Sequence, residues 1–129
     1  MSAPLVIVID DDPGMRWALD ALVRSLDFEC KTFASAEDFP TSGFLERSSC
    51  VVADVRMRGM SGLELAEKLK GTPSDATACP VILVSVFADE RMAVLAKDNA
   101  LVLLKKPFDG DVLAGYIEKA VSLRTERTS

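Results

Sequence analysis

The chain has 129 residues, 49% of them hydrophobic and 27% charged, which is enough for one continuous core, too little for two typical domains, and unlike a disordered or fibrous composition. Its formal net charge of -5 opposes docking on the polyanionic backbone of nucleic acid or on an anionic membrane surface. No apolar run approaches the ~20 residues of a membrane helix, and Met1-Ser2-Ala3-Pro4 carries no basic stretch, so a cytoplasmic chain without a secretory signal is expected.

Leu5-Val6-Ile7-Val8-Ile9 is a short, β-branched apolar run ended by acids, the pattern of a strand covered on both faces of a parallel sheet. Pro13-Gly14 then opens a helix whose apolar positions Met15, Leu19, Leu22, Val23 and Leu26 recur at helical spacing. A short second strand is expected over Glu29 to Phe33. Ser35 with Asp38 is a capping signal for a second helix, made irregular by Pro40 and Gly43. Cys50 to Ala53 repeats the strand pattern and ends in Asp54, and Ser61-Gly62-Leu63-Glu64 is a capping box for a helix through about Lys70. Val81 to Val84 predicts a strand ending in Ser85, followed by a helix over about Asp89 to Lys97 and a strand over Leu101 to Leu104. After Lys105-Lys106-Pro107 an amphipathic helix runs from about Asp111 to Leu123, carrying Val112, Tyr116, Ile117 and Val121. The expectation is one domain over 1–129, with a core over about 5–123 and a polar, frayed tail over 124–129. Strands alternate with helices, so the fold class is α/β with a parallel sheet and right-handed crossovers.

The chain contains no histidine, which removes Ser-His-Asp and Cys-His catalysis, His-ligated zinc and any role as a phosphohistidine donor. Its three cysteines, Cys30, Cys50 and Cys79, form no C-x-x-C pair and read as buried, reduced thiols. Chemistry must therefore run on carboxylates, hydroxyls and lysine. Asp10-Asp11-Asp12, Asp54, Ser85 and Lys106 each follow a predicted strand. In an open parallel sheet those carboxyl ends share one edge, where ligands bind. Clustered carboxylates repel one another without a cation, and hard oxygen donors suit Mg²⁺. A carboxylate can also attack phosphorus, given a metal, a fixed cation for the phosphoryl oxygens and a hydrogen-bond donor to the product. Taken singly, each residue has a plainer reading: strand-ending acids that complement a helix, a turn-capping aspartate, a loop serine, a solvated lysine. Their joint placement favours one site.

On these residues the chain resembles a response-regulator receiver domain, from about Leu5 to Val121. The matching parts are Asp10-Asp11, Met15-Arg16, Asp54 within Asp54-Val55-Arg56-Met57-Arg58-Gly59-Met60-Ser61-Gly62, Ser85, and Lys106-Pro107-Phe108. Phe33-Ala34-Ser35-Ala36-Glu37-Asp38-Phe39 is similar to receivers of the nitrogen-fixation regulator branch, which precede helix-turn-helix output domains. The resemblance implies a flavodoxin-like, doubly wound five-stranded sheet in the order 2-1-3-4-5 with helices on both faces. It implies Asp54 as phosphoacceptor, Mg²⁺ held by Asp11, Asp54 and the Arg56 main-chain carbonyl, and Asp10 acting through a coordinated water. Ser85 would hydrogen-bond the phosphoryl group and Lys106 would pair with it, next to a cis Lys106–Pro107 bond. The implied donor is a sensor histidine kinase, and the implied readers are a downstream protein or output domain, or a second copy of the chain, on the face of helix four, strand five and helix five. Such a protein is not an enzyme beyond accepting and hydrolysing its own phosphoryl group.

Several positions depart from that pattern. Arg58 stands where proline is usual, which frees a backbone N–H, loosens the loop and adds a cation. Leu103 replaces the usual aromatic residue, Val86 and Phe87 are bulky after Ser85, and Asn99 stands where glycine is usual. Two other classes of function remain open on sequence alone: a degenerate receiver that binds partners without phosphorylation, and a small aspartate-nucleophile phosphatase built on Asp10 and Asp12.

Overall fold

In a computed structural model of the chain, the described residues are 3–40, 42–44, 47–70, 80–86, 89–98 and 101–128. The expectations placed on Cys79, Phe87 and Asn99 fall outside them. Five strands, β1 (Leu5–Ile9), β2 (Glu29–Phe33), β3 (Ser48–Asp54), β4 (Val81–Ser85) and β5 (Val102–Lys105), form one sheet in the order β2-β1-β3-β4-β5. All four pairings are parallel. The helices are α1 (Pro13–Ser25), α2 (Gly62–Lys70), α3 (Glu90–Asp98) and α4 (Gly110–Thr128). This is the flavodoxin-like, doubly wound arrangement.

Alternate residues of the central strands point to opposite faces, and each face has its own core. Ile7, Ile9, Val51, Ala53 and Leu83 pack with Leu65 and Leu69 of α2 and with Phe39. Val6, Val8, Val52, Ile82 and Val84 pack with Leu19 and Val23 of α1 and with Leu113 and Ile117 of α4. Cys30 and Cys50 are buried thiols in the second core. Burial pushes the Cys30 thiol up to about 12, so it stays protonated and inert. Among the described residues no helix is long and apolar enough to cross a membrane.

Local chemistry explains the helix ends. Asp12 accepts the Gly14 N–H at 3.1 Å ahead of Pro13 at the first turn of α1. Ser61 and Glu64 make the expected reciprocal capping box, with bonds of 3.1 and 3.4 Å. Asp89 caps α3 through the Met92 N–H at 2.8 Å. α4 continues past Leu123 to Thr128, so the polar stretch expected as a frayed tail extends the helix.

The helix expected after Ser35 is not formed: residues 34–40 run as bends and turns. The Ser35 hydroxyl donates to the Asp38 carboxylate at 2.9 Å, a local side-chain pairing that competes with helical capping. Pro40 and Gly43, the latter at φ 88, close off any extension. Ala36 and Phe39 are nonetheless wholly buried, with Phe39 set against Phe33 at a centroid distance of 5.7 Å. This irregular segment is therefore anchored in the core through Ala36 and Phe39. Phe39→Ala is expected to cost about 3–5 kcal/mol in urea unfolding; a loss below about 1 kcal/mol would mean that the segment is not part of the core.

Candidate functional site

Register assembles the site. Ile9 lies opposite Ala53, Asp54 opposite Val84, and Ser85 opposite Lys105. The residues at or just past these strand ends, Asp10, Asp54, Ser85 and Lys106, therefore arrive together at the carboxyl edge of the sheet. Carboxylate oxygens of Asp10, Asp11 and Asp54 lie within 4.8 Å of one another. The Lys106 Nζ bridges two of them, at 3.2 Å from Asp10 Oδ2 and 3.0 Å from Asp54 Oδ2. Side-chain exposure is 10% for Lys106, 13% for Asp54 and 0% for Asp10, so the ion pairs sit in a poorly solvated recess whose outer member is the exposed Asp11.

Burial pushes the Asp10 carboxyl above its ordinary value and the Asp54 charge adds to this, against the Asp12 N–H and Lys106, which stabilise the ion. Burial alone would lower the Lys106 ammonium, but its bond to Asp54 and the charge and bond of Asp10 outweigh it, and its pKa is raised. Two of the three carboxylates thus share one ammonium, and the third accepts a backbone N–H. That all-oxygen donor set, open to water on the Asp11 side, fits a hard divalent cation such as Mg²⁺.

The loops fix the acids individually. Asp10 Oδ1 accepts the Asp12 N–H at 2.9 Å, and its carbonyl accepts from Arg16 Nη1 at 2.8 Å. Asp54 Oδ1 accepts the Arg56 N–H at 3.0 Å. Gly62 approaches so closely that a Cβ there would stand 2.5 Å from the Asp54 carbonyl oxygen. Asp12 caps α1, and the three clustered acids are Asp10, Asp11 and Asp54.

Ser85 is fully buried at the end of β4, and its carbonyl accepts the Lys106 N–H at 2.7 Å. The Lys106–Pro107 peptide is cis. Leu103 packs, half-buried, on the α2-side core, and Val86 is exposed. The backbone N–H that arginine frees at position 58 is used: it donates to Asp11 Oδ2 at 3.3 Å, a bond that proline could not make. Sequence reasoning also gave no part in the site to Glu37, whose carboxylate accepts the Met60 N–H; the sequence separation of 23 leaves no local signal for it.

Comparison with known proteins agrees with this geometry. Residues 6–118 match the family described as response regulator receiver domain. The transcriptional regulatory protein TdiR of Thauera aromatica is 33% identical over 126 residues, covering 97% of this chain and 54% of TdiR. The transcriptional regulatory protein FixJ of Bradyrhizobium diazoefficiens is 37% identical over 121 residues, covering 90% of this chain and 56% of FixJ. The structure of the response regulator StyR matches with a TM-score of 0.85 at 35% identity, over 98% of this chain and 63% of that one. The chain spans about half the length of these curated relatives. With the strand order, the acidic cluster and a match over most of its length all in agreement, the chain belongs to the response regulator receiver domain family.

Proposed function

We propose that this chain is the phosphorylation-dependent receiver of a two-component pathway, with Asp54 as phosphoacceptor and a sensor histidine kinase as donor. The observation that carries the reading is the seat of Asp54, whose carboxylate lies 3.0 Å from Lys106 Nζ and within reach of two further acids at one sheet edge. The chain has no histidine, so a phosphohistidine donor lies outside these 129 residues. An Asp54 oxygen forms the new O–P bond while the donor P–N bond breaks and its electron pair returns to the imidazole.

Asp11, Asp54 and the Arg56 main-chain carbonyl would hold Mg²⁺, with Asp10 acting through a water in the ion's shell. The bound ion supplies neutralising charge to the phosphoryl oxygens. Lys106 pairs with one of those oxygens and the Ser85 hydroxyl hydrogen-bonds another. A groove of about 320 Å³ beside Lys106, lined by Met15, Leu19, Leu22, Pro107 and Phe108, suits an apolar helix that carries the donor imidazole.

Moving Lys106 and Ser85 onto the phosphoryl group changes contacts at the ends of β4 and β5, which biases α3, β5 and α4 between two states. Val94 and Leu95 on α3 and Val112 and Tyr116 on α4 are exposed there, a surface for a partner or a second copy. The transcriptional regulatory names of the relatives support an output domain or protein acting on DNA in the cytoplasm, with this acidic chain making no nucleic-acid contact itself. Slow self-hydrolysis of the acyl phosphate resets the switch.

Incubation with acetyl phosphate and Mg²⁺ is expected to add one hydroxylamine-labile phosphoryl group to the parent and none to Asp54→Asn, as read by intact mass. An unmodified parent beside a reactive control receiver would leave the phosphorylation-independent binding module as the reading.

The raised Asp10 pKa sets a second expectation. A carboxyl whose folded pKa exceeds its unfolded value destabilises the fold when ionised, and this penalty fades as pH falls through the folded pKa toward the unfolded value near 3.8. Metal-free Asp10→Asn should therefore melt above the parent at pH 7, with the gap closing toward pH 4, while Mg²⁺ raises the parent's Tm more than the variant's. A variant that melts below the parent at pH 7 contradicts this account. Lys106 acts in the opposite sense: its contribution is complete below its unfolded pKa near 10.5 and is lost as pH rises through the raised folded value.

A further inference from the structure

Three consecutive residues of the loop between β3 and α2 are tied to two other parts of the molecule. The Arg58 N–H donates to Asp11 Oδ2 at 3.3 Å. The Met60 N–H donates to the Glu37 carboxylate. Between them Gly59 takes φ 78, a backbone conformation that favours glycine, and its missing side chain leaves room for the Glu37 carboxylate. Glu37 is exposed, but its backbone lies between the wholly buried Ala36 and Phe39, which fixes the point from which its side chain reaches the loop. Met57 and Met60 pack on the same core as Phe39.

We infer that Glu37 is a positioning residue for the acceptor site: it holds the loop through the Met60 N–H, and the loop in turn holds Asp11 through the Arg58 N–H and sets the Arg56 carbonyl. The loop follows Asp54 and has no proline at position 58 to limit its backbone. Two bonds to side-chain carboxylates restrain it in place of the ring. A ligand set fixed before the ion arrives binds it more tightly than one that must be ordered on binding.

The tether is a statement about the metal-free protein, whereas its effect on Mg²⁺ rests on the function proposed above. The test therefore reads both, comparing Glu37→Ala, which removes the acceptor, with Glu37→Gln, which keeps an oxygen there. Amide exchange by NMR without metal is expected to speed at Met60 and also at Arg58 in Glu37→Ala, and to remain near the parent's in Glu37→Gln. Titration calorimetry with MgCl₂ is expected to show about 3- to 10-fold weaker binding in Glu37→Ala, the equivalent of one ordinary hydrogen bond, with most of it recovered in Glu37→Gln. Unchanged exchange at both amides in Glu37→Ala overturns the tether, as does equal loosening in both variants. Faster exchange with unaltered Mg²⁺ affinity overturns the positioning role. A parent that binds no Mg²⁺ sinks the proposed function and, with it, the positioning of an ion, while the exchange data still decide the tether.

Discussion

The Lys106 ammonium, seated between Asp10 and Asp54, is the contact on which the rest of the carboxyl edge depends. Removing two carboxylates from water and placing them side by side is unfavourable twice over, through lost hydration and through repulsion. One cation shared between them makes the arrangement tolerable without neutralising it. The cluster therefore stays short of positive charge, the electrostatic setting that suits a hard divalent cation. Crowding that costs the metal-free protein stability is the same crowding that gives the edge its acidic donor set.

The sheet makes such crowding reproducible. Parallel register brings chain positions as far apart as Asp10 and Lys106, 96 residues, to one edge. The two cores on either side hold the strand ends still. Loops then refine the placement through backbone N–H groups, each acid being oriented by its own short turn or by a neighbouring loop. Main-chain donors suit this task because they carry no side-chain entropy and cannot be reoriented independently of the fold.

Much of this was legible beforehand. The continuous apolar runs Leu5 to Ile9 and Val81 to Val84 could be little other than covered strands, and the Ser61 and Glu64 box formed as read. The site residues were visible because each follows a strand, and topology alone brings strand ends together. The segment after Phe33 was misread because Ser35 and Asp38 satisfy a local capping rule whose hydroxyl is diverted to a side chain. The roles of Glu37 and of the Arg58 N–H were invisible, since both depend on loops meeting across the fold. The N–H freed by arginine at position 58 was legible as a donor, but the acid that receives it was not.

The two outer strands carry a different consequence. β2 shows Glu29, Lys31 and Thr32 to solvent, and β5 is a short strand ending in the exposed Lys105. Charged side chains on a border strand resist annealing with another chain, because pairing would strip their water and juxtapose like charges. Growth of the sheet from molecule to molecule is thereby discouraged at both margins. Any pairing between copies would then fall to the helical faces, whose side-chain contacts form and release without breaking a ladder of backbone bonds.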